Sequence, residues 1–132
     1  MGETRKPLIL VVDDMADARE ICAEYLVFHE FRVETAADGS EAIQKALSLH
    51  PDLILMDLSM PTMDGWQATR WLKGNAQVAA IPVVAFTAHA MASSQESARE
   101  AGCCAVVTKP VLPNELLRVI RQCLEQAAAE GL

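Results

Sequence analysis

Five polar residues directly follow apolar segments of the chain, and their types suit one chemical site. Asp13 and Asp14 follow the run "PLILVV", Asp57 follows "LILM", Thr87 follows "IPVVAF" and Lys109 follows "AVVT". The set comprises three carboxylates, one hydroxyl and one ammonium group. Together these groups suit a divalent cation and a tetrahedral anion that carries several negative charges.

The three carboxylates would repel one another if the fold placed them side by side. Two unit charges about 4 Å apart repel by about 4 kcal/mol at an effective dielectric constant of ~20. A divalent cation relieves this repulsion, and oxygen ligands without Cys or His favour Mg²⁺, with Mn²⁺ as a substitute. The chemistry that fits is attack of the Asp57 carboxylate on a phosphoryl group, which gives an acyl phosphate.

The elements that must position these residues alternate along the chain. Five short apolar segments are typical of strands, and the segments between them, including residues 91–101, have the composition or spacing of helices. Asp38 and Glu41 form a capping-box-like helix start, Gly74 suits a helix end, and the last helix follows Pro113. Five alternations predict an α/β fold with a parallel sheet and helices on both faces.

Ligands bind such sheets outside the carboxyl ends of the strands, so the five polar residues are expected at one edge. Each also has a simpler interpretation, which is favoured when the residue is taken singly. Asp14 fits a helix cap, Asp57 fits a turn after a strand, and Thr87 and Lys109 fit ordinary polar surface. The coincidence of all five at one edge favours the joint site.

The expected core includes one face of the first helix and the cysteines. The helical spacing predicts an inward face made of Ala18, Ile21, Cys22, Tyr25 and Leu26. The four cysteines, which are Cys22, Cys103, Cys104 and Cys123, show no CxxC spacing, which argues against zinc. In a cytosolic chain they are expected to be reduced thiols that fill the core.

Length and charge limit the classes of function. The chain has 132 residues, enough for one domain, and a formal net charge of −7. That charge argues against a nucleic-acid partner and favours a cationic protein or a divalent metal. No apolar run reaches the ~18 residues of a membrane helix, and the N-terminus "MGETRKP" lacks a secretory signal. We therefore expect a cytoplasmic protein without a membrane partner.

Four stretches, "ILVVDD", "DLILMDLSMPTMDG", "VVAFTA" and "TKP", resemble the receiver domain of two-component response regulators in their order and spacing. The domain resembles single-domain chemotaxis regulators and is expected at residues 7–127, with short tails at 1–6 and 128–132. The resemblance implies a flavodoxin-like (βα)5 three-layer fold. Its five-stranded parallel sheet would have the order 2-1-3-4-5, with helices on both faces.

The resemblance also implies a role for each site residue. Asp57 is the implied phosphoacceptor. The implied direct Mg²⁺ ligands are Asp14, Asp57 and the backbone carbonyl of Ser59, while Asp13 would act on the ion mainly through water. Lys109 would contact the phosphoryl oxygens, and the Thr87 hydroxyl would swing towards them. The implied donor is a histidine kinase or a histidine phosphotransfer protein. The phosphorylated state would bind a downstream protein or pass the phosphoryl group on. Such a protein catalyses its own phosphorylation and dephosphorylation but is not a conventional enzyme.

Val106 departs from the receiver pattern, which commonly has Tyr or Phe three residues before the lysine. Valine has neither the bulk nor the hydroxyl of that aromatic switch. One alternative is therefore a receiver-like interaction scaffold with lost or altered phospho-switching. An aspartyl-nucleophile phosphatase ranks lower, because it needs an acid where this chain has Ser59. The chain also fits either a stand-alone regulator or a receiver excised from a hybrid kinase.

Overall fold

Strands and helices alternate along the chain in the computed structural model, which describes residues 6–58, 65–87, 99–108 and 112–130. The elements are β1 (Leu8–Val12), α1 (Ala16–Phe28), β2 (Arg32–Ala36), α2 (Gly39–Leu49), β3 (Leu53–Asp57), α3 (Gly65–Lys73), β4 (Val83–Thr87), β5 (Ala105–Thr108) and a C-terminal helix (Pro113–Glu130). Of the helix expected at 91–101, residues 99–101 are helical and the others lie outside the described residues.

The five strands form one parallel sheet in the order β2-β1-β3-β4-β5. The predicted fold class and strand order are thereby confirmed. In the register of β1 with β3, Val12 lies beside Met56, and in that of β3 with β4, Asp57 lies beside Phe86. Every residue of β1 and β3 is buried, as expected for strands covered on both faces.

Helices cover both faces of the sheet, and each face has its own core cluster. One cluster joins α2 and α3 to the sheet through residues that include Ala42, Ile43, Ala46, Ala68, Leu72, Leu10, Ile54, Met56 and Val83. The other joins α1 and the C-terminal helix through residues that include Leu26, Leu117, Ile120, Cys123, Ile9, Leu55 and Val84. Alternate residues of each strand therefore point to opposite layers.

The inward face predicted for α1 is correct for Cys22, Tyr25 and Leu26 and wrong for Ile21, while Ala18 is half-buried. Leu26 is fully buried, and Cys22 and Tyr25 pack against the same cluster. Ile21, in contrast, is 69% exposed. Successive residues of a helix are about 100° apart, so Ile21 falls beside the buried stripe centred near Cys22 and Leu26. The helical spacing therefore predicted the apolar face of α1 but wrongly included Ile21, which lies beyond its edge.

The start of α2 has the predicted capping box. The Asp38 carboxylate accepts a hydrogen bond from the Glu41 N–H at 2.8 Å, and the Glu41 carboxylate accepts one from the Ala37 N–H at 2.8 Å. The hydrogen bond from Ala37, with a smaller contribution from Lys45, holds the pKa of Glu41 below its usual value. These bonds satisfy two amides at the helix start and fix the turn that follows β2.

Two of the four cysteines form a disulfide, so the prediction that all are reduced thiols is wrong for this pair. Cys104 precedes β5, and Cys123 lies on the sheet-facing side of the C-terminal helix. Their Cα atoms are 6.3 Å apart. Packing of the helix on the sheet creates this proximity, which the separation of 19 residues in sequence does not reveal. Cys22 and Cys103 take no part in this disulfide.

The C-terminal helix extends to Glu130, three residues beyond the domain boundary expected at residue 127. The boundary itself stays a prediction. Within the described ranges, we find no helix that combines the length and the apolar character needed to cross a bilayer.

Candidate functional site

Three carboxylates meet at the carboxyl edge of the sheet. Asp13 and Asp14 follow β1, and Asp57 is the last residue of the adjacent β3. One carboxylate oxygen from each residue lies within 4.8 Å of the corresponding oxygens of the other two. The fold therefore brings together the three acids on which the sequence argument depended.

Asp13 makes hydrogen bonds through both its main chain and its side chain. Its N–H donates to the Ala36 carbonyl at 3.1 Å, which extends the pairing of β1 with β2. Its Oδ1 accepts from the Met15 N–H at 3.0 Å, and its carbonyl accepts from Arg19 Nη1 at 2.7 Å. These bonds fix the turn into α1 and thereby the position of a carboxylate that is 3% exposed.

Asp57 is 4% exposed, which is unusual for an acidic residue. The ladder with β4 continues past it, because the Leu58 N–H donates to the Phe86 carbonyl at 3.1 Å. Gly65, the first residue of α3, lies against this strand end. A Cβ at Gly65 would come within 2.2 Å of the Asp57 carbonyl oxygen. The missing side chain therefore allows α3 to begin directly over the acid.

The donor set fits a hard divalent cation. It consists of carboxylate oxygens that lie within 4.8 Å of one another, so the three residues form one candidate cation site. Asp14 is exposed whereas Asp13 and Asp57 are buried, so the cluster has a solvent-facing side. A cation at this position would offset the mutual repulsion of the three charges.

The other predicted site residues are described in part or not at all. Thr87 ends β4 and pairs with Thr108 of β5 in the backbone register. Its backbone is therefore at the same edge as the acids, while its side chain lies outside the described residues. Ser59 and Lys109 also lie outside them, and their roles stay predictions. Ser59 immediately follows Leu58, and Lys109 immediately follows the end of β5.

Two further residues matter to the site. Sequence reasoning missed Arg19, whose guanidinium bonds the carbonyl of Asp13. Its place on the second turn of α1, after an Asp pair, was the available signal. Val106, where receivers commonly have an aromatic ring, is half-buried and packs against the core cluster that contains Met56 and Leu58.

Comparison with known proteins gives a consistent result. A sequence model described as the response regulator receiver domain matches residues 9–121. The chain is 32% identical over 119 residues to the polar-differentiation response regulator DivK of Brucella ovis, covering 90% of this chain and 97% of that protein.

Solved structures agree with this match. The chemotaxis protein CheY4 of Vibrio cholerae superposes with a TM-score of 0.85 at 28% identity, covering 89% of this chain and 98% of CheY4. The signal receiver domain of a signal transduction histidine kinase from Syntrophus aciditrophicus gives a TM-score of 0.82 at 32% identity, with 91% of each chain covered. The protein thus belongs to the response regulator receiver domain family.

Proposed function

We propose that Asp57 accepts a phosphoryl group from a phosphohistidine donor in a Mg²⁺-dependent reaction, and that the phosphorylated state signals through protein contacts. The observation that carries this proposal is the meeting of Asp13, Asp14 and Asp57 at one sheet edge, with one oxygen of each within 4.8 Å of the others. Receiver domains work with histidine kinases and downstream targets and are not conventional enzymes.

In the proposed step, a carboxylate oxygen of Asp57 attacks the phosphorus atom of the donor phosphohistidine. The new O–P bond forms as the P–N bond breaks, and the imidazole leaves with the electron pair and takes up a proton. Mg²⁺ held by Asp13, Asp14, Asp57 and the Ser59 carbonyl would neutralise charge on the carboxylates and on the transferred group. Asp57 is 4% exposed, so little bulk water would compete with the phosphoryl donor at its carboxylate.

Two predicted residues complete the proposal. Lys109 would contact the phosphoryl oxygens as a cation, and the Thr87 hydroxyl would donate a hydrogen bond to them. Thr87 is the last residue of β4, the strand beside β3, and Lys109 immediately follows β5 in the sequence. Hydrolysis of the acyl phosphate would return Asp57 to its starting state, so the domain would catalyse both its phosphorylation and its dephosphorylation. The cytoplasmic location remains a prediction from the sequence.

A phosphorylation assay tests the proposal. Incubation with acetyl phosphate and Mg²⁺ is expected to add one phosphoryl group, visible as an intact-mass increase and a shifted band on a Phos-tag gel. Asp57→Asn is expected to abolish the modification, and the control Asp17→Asn, at an exposed acid on the first turn of α1, is expected to retain it. Modification at another residue, or modification unaffected by EDTA, would refute the proposal.

Val106 supports a second candidate, an interaction scaffold with altered phospho-switching. Its side chain is a stiff aliphatic group packed on the core rather than a ring with a polar tip. A pull-down with phosphorylated and unphosphorylated protein separates the candidates. Equal capture of the same partner by both forms favours the scaffold, whereas phosphorylation-dependent capture favours the signalling receiver.

A further inference from the structure

A second chemically distinctive place lies at the edge of the sheet opposite the acids. A cavity of about 400 Å³ is lined there by residues that include Lys73, Gly102, Cys104, Cys123 and Gln126. Cys104 directly precedes β5, which places the cavity at the amino end of the strands. Both cysteines of the disulfide thus line this cavity, and a small molecule bound there would contact them.

The backbone holds the two cysteines in bonding range. The Cys104 N–H donates to the Val83 carbonyl at 2.7 Å, which fixes Cys104 beside the start of β4. Cys123 packs in the same core cluster as Leu117 and Ile120 of its helix. The Cα separation of 6.3 Å is within the range of about 4.4–6.8 Å that a disulfide spans. The packed fold, rather than the bond alone, therefore keeps the sulfurs close.

The two ends of the disulfide differ in access. Cys104 is exposed, whereas Cys123 is 3% exposed. A reagent from solution would therefore react at the Cys104 sulfur. Lys73 lines the same cavity and brings a positive charge to it, and positive charge near a cysteine favours the thiolate form.

The surroundings also suit the reduced form. Gln126 Oε1 lies 3.7 Å from Cys104 Sγ. A disulfide sulfur has no hydrogen to donate, so this contact is not a hydrogen bond in the oxidised protein. After reduction, the Cys104 thiol would have an acceptor within the reach of a sulfur donor.

We propose that Cys104 and Cys123 form a reversible thiol–disulfide pair whose oxidant is a low-molecular-weight disulfide of the glutathione class. The Cys104 thiolate attacks one sulfur of the small disulfide, and one small thiolate leaves as that S–S bond breaks. The Cys123 thiolate then attacks the Cys104 sulfur and displaces the second small thiolate. Two protein thiols lose two electrons and two protons, and the small disulfide becomes two thiols.

Oxidation ties the C-terminal helix covalently to the start of β5. In the reduced protein, no covalent link would join the helix to the sheet, and apolar contacts through residues such as Leu117 and Ile120 would remain. The cross-link closes a loop with a sequence separation of 19 residues, which restricts the unfolded chain and opposes local opening of the helix. In a reducing compartment, such a bond is typically transient or redox-sensing rather than structural.

Equilibration of the full chain in buffers of varied reduced-to-oxidised glutathione ratio tests the proposal. Acid quenching, alkylation and peptide mapping are expected to show a Cys104–Cys123 linked peptide that forms and disappears reversibly. Cys22 and Cys103 are expected to stay thiols. The thermal midpoint of the oxidised form should exceed that of the reduced form by roughly 10 °C. Hydrogen exchange in the C-terminal helix should be slower in the oxidised form.

Matched variants identify the cause of any redox response. Cys104→Ser, at an exposed position, is expected to abolish the midpoint difference, and Cys22→Ala is expected to preserve it. A linked peptide that forms at no ratio, one that persists in excess reduced glutathione, or pairing through Cys103 or between chains would overturn the proposal. None of these measurements involves phosphorylation, so the outcome is independent of the proposed function.

Discussion

Neutralising Asp14 is the most direct test of the electrostatic argument at the acidic cluster. Asp14 is exposed, whereas its two partners are buried, so Asp14→Asn changes the charge at the solvent-facing side with little change in shape. We expect the variant to be more stable than the wild type without divalent cations. With Mg²⁺, we expect the order of stabilities to reverse.

The magnitude follows from the oxygen separations. At 4.8 Å, two unit charges repel by roughly 3.5 kcal/mol at an effective dielectric constant of ~20, and by about 0.9 kcal/mol in bulk water. The two pairs that involve exposed Asp14 lie near the aqueous limit, and salt screens them further. Their removal is therefore expected to raise the free energy of unfolding by about 1 kcal/mol in EDTA. At a Mg²⁺ concentration of ~100 times its dissociation constant, the wild type should gain about 2.7 kcal/mol.

Urea unfolding in EDTA and in excess Mg²⁺ measures both effects. Asp14→Asn should gain much less from Mg²⁺ than the wild type, because one anionic ligand is lost. Glu34→Gln is the control, since it removes the same charge from an exposed position on the edge strand β2. The reasoning fails if Asp14→Asn is no more stable than the wild type in EDTA, if the control gains equally, or if Mg²⁺ stabilises both proteins alike.

Three further predictions concern packing, hydrogen bonding and pH. Gly65→Ala should lower the free energy of unfolding by at least about 2 kcal/mol, because its Cβ would meet the β3 backbone at 2.2 Å. Gly74→Ala, with its nearest atom at 3.4 Å, should change it by less than about 1 kcal/mol in the same urea titration, and equal effects would contradict the steric argument. Lys73→Met should lower the free energy of unfolding by roughly 2–4 kcal/mol, measured in urea, because the Lys73 ammonium donates to two carbonyls at 3.0 and 2.8 Å. An equal loss in the control Arg70→Met, at an exposed position, would contradict this explanation. Burial raises the pKa of the Cys103 thiol from 9.0 to about 11. Above pH 9 the unfolded chain loses this proton while the folded protein keeps it, so the free energy of unfolding should fall as the pH rises from 9 towards 11. Thermal midpoints across this range in a Cys103→Ala variant, compared with the wild type, should show a smaller decline.

The sheet was predictable from sequence because strands buried on both faces appear as continuous apolar runs. β1 is an uninterrupted apolar run, and β3 is apolar up to its last residue, Asp57, so the acids mark where the strands end. The capping box of α2 was also visible, because its bonds join residues three or four positions apart. Once parallel strands share an edge, Asp13 and Asp57 must approach each other.

Features that depend on packing between distant segments were not predictable. The pairing of Cys104 with Cys123 requires the C-terminal helix to settle on the sheet, and no short-range pattern encodes that distance. The exposure of Ile21 depends on how α1 is rotated against the sheet, which periodicity leaves undetermined within about one residue. The bond from Arg19 to the Asp13 carbonyl depends on the same rotation.

Val106 limits how a phosphorylated site in this protein can communicate with its surface. The residue lies beside Ala85 in the register of β5 with β4 and packs on the cluster that contains Met56, the residue before Asp57. Valine is restricted in its χ1 rotamers and has no polar tip to exchange between core and solvent. Rotation of one ring is thus excluded as the signal at this position. Under the proposed function, we expect the response to phosphorylation to be a displacement of a strand or helix, which hydrogen exchange of the phosphorylated and unphosphorylated forms would locate.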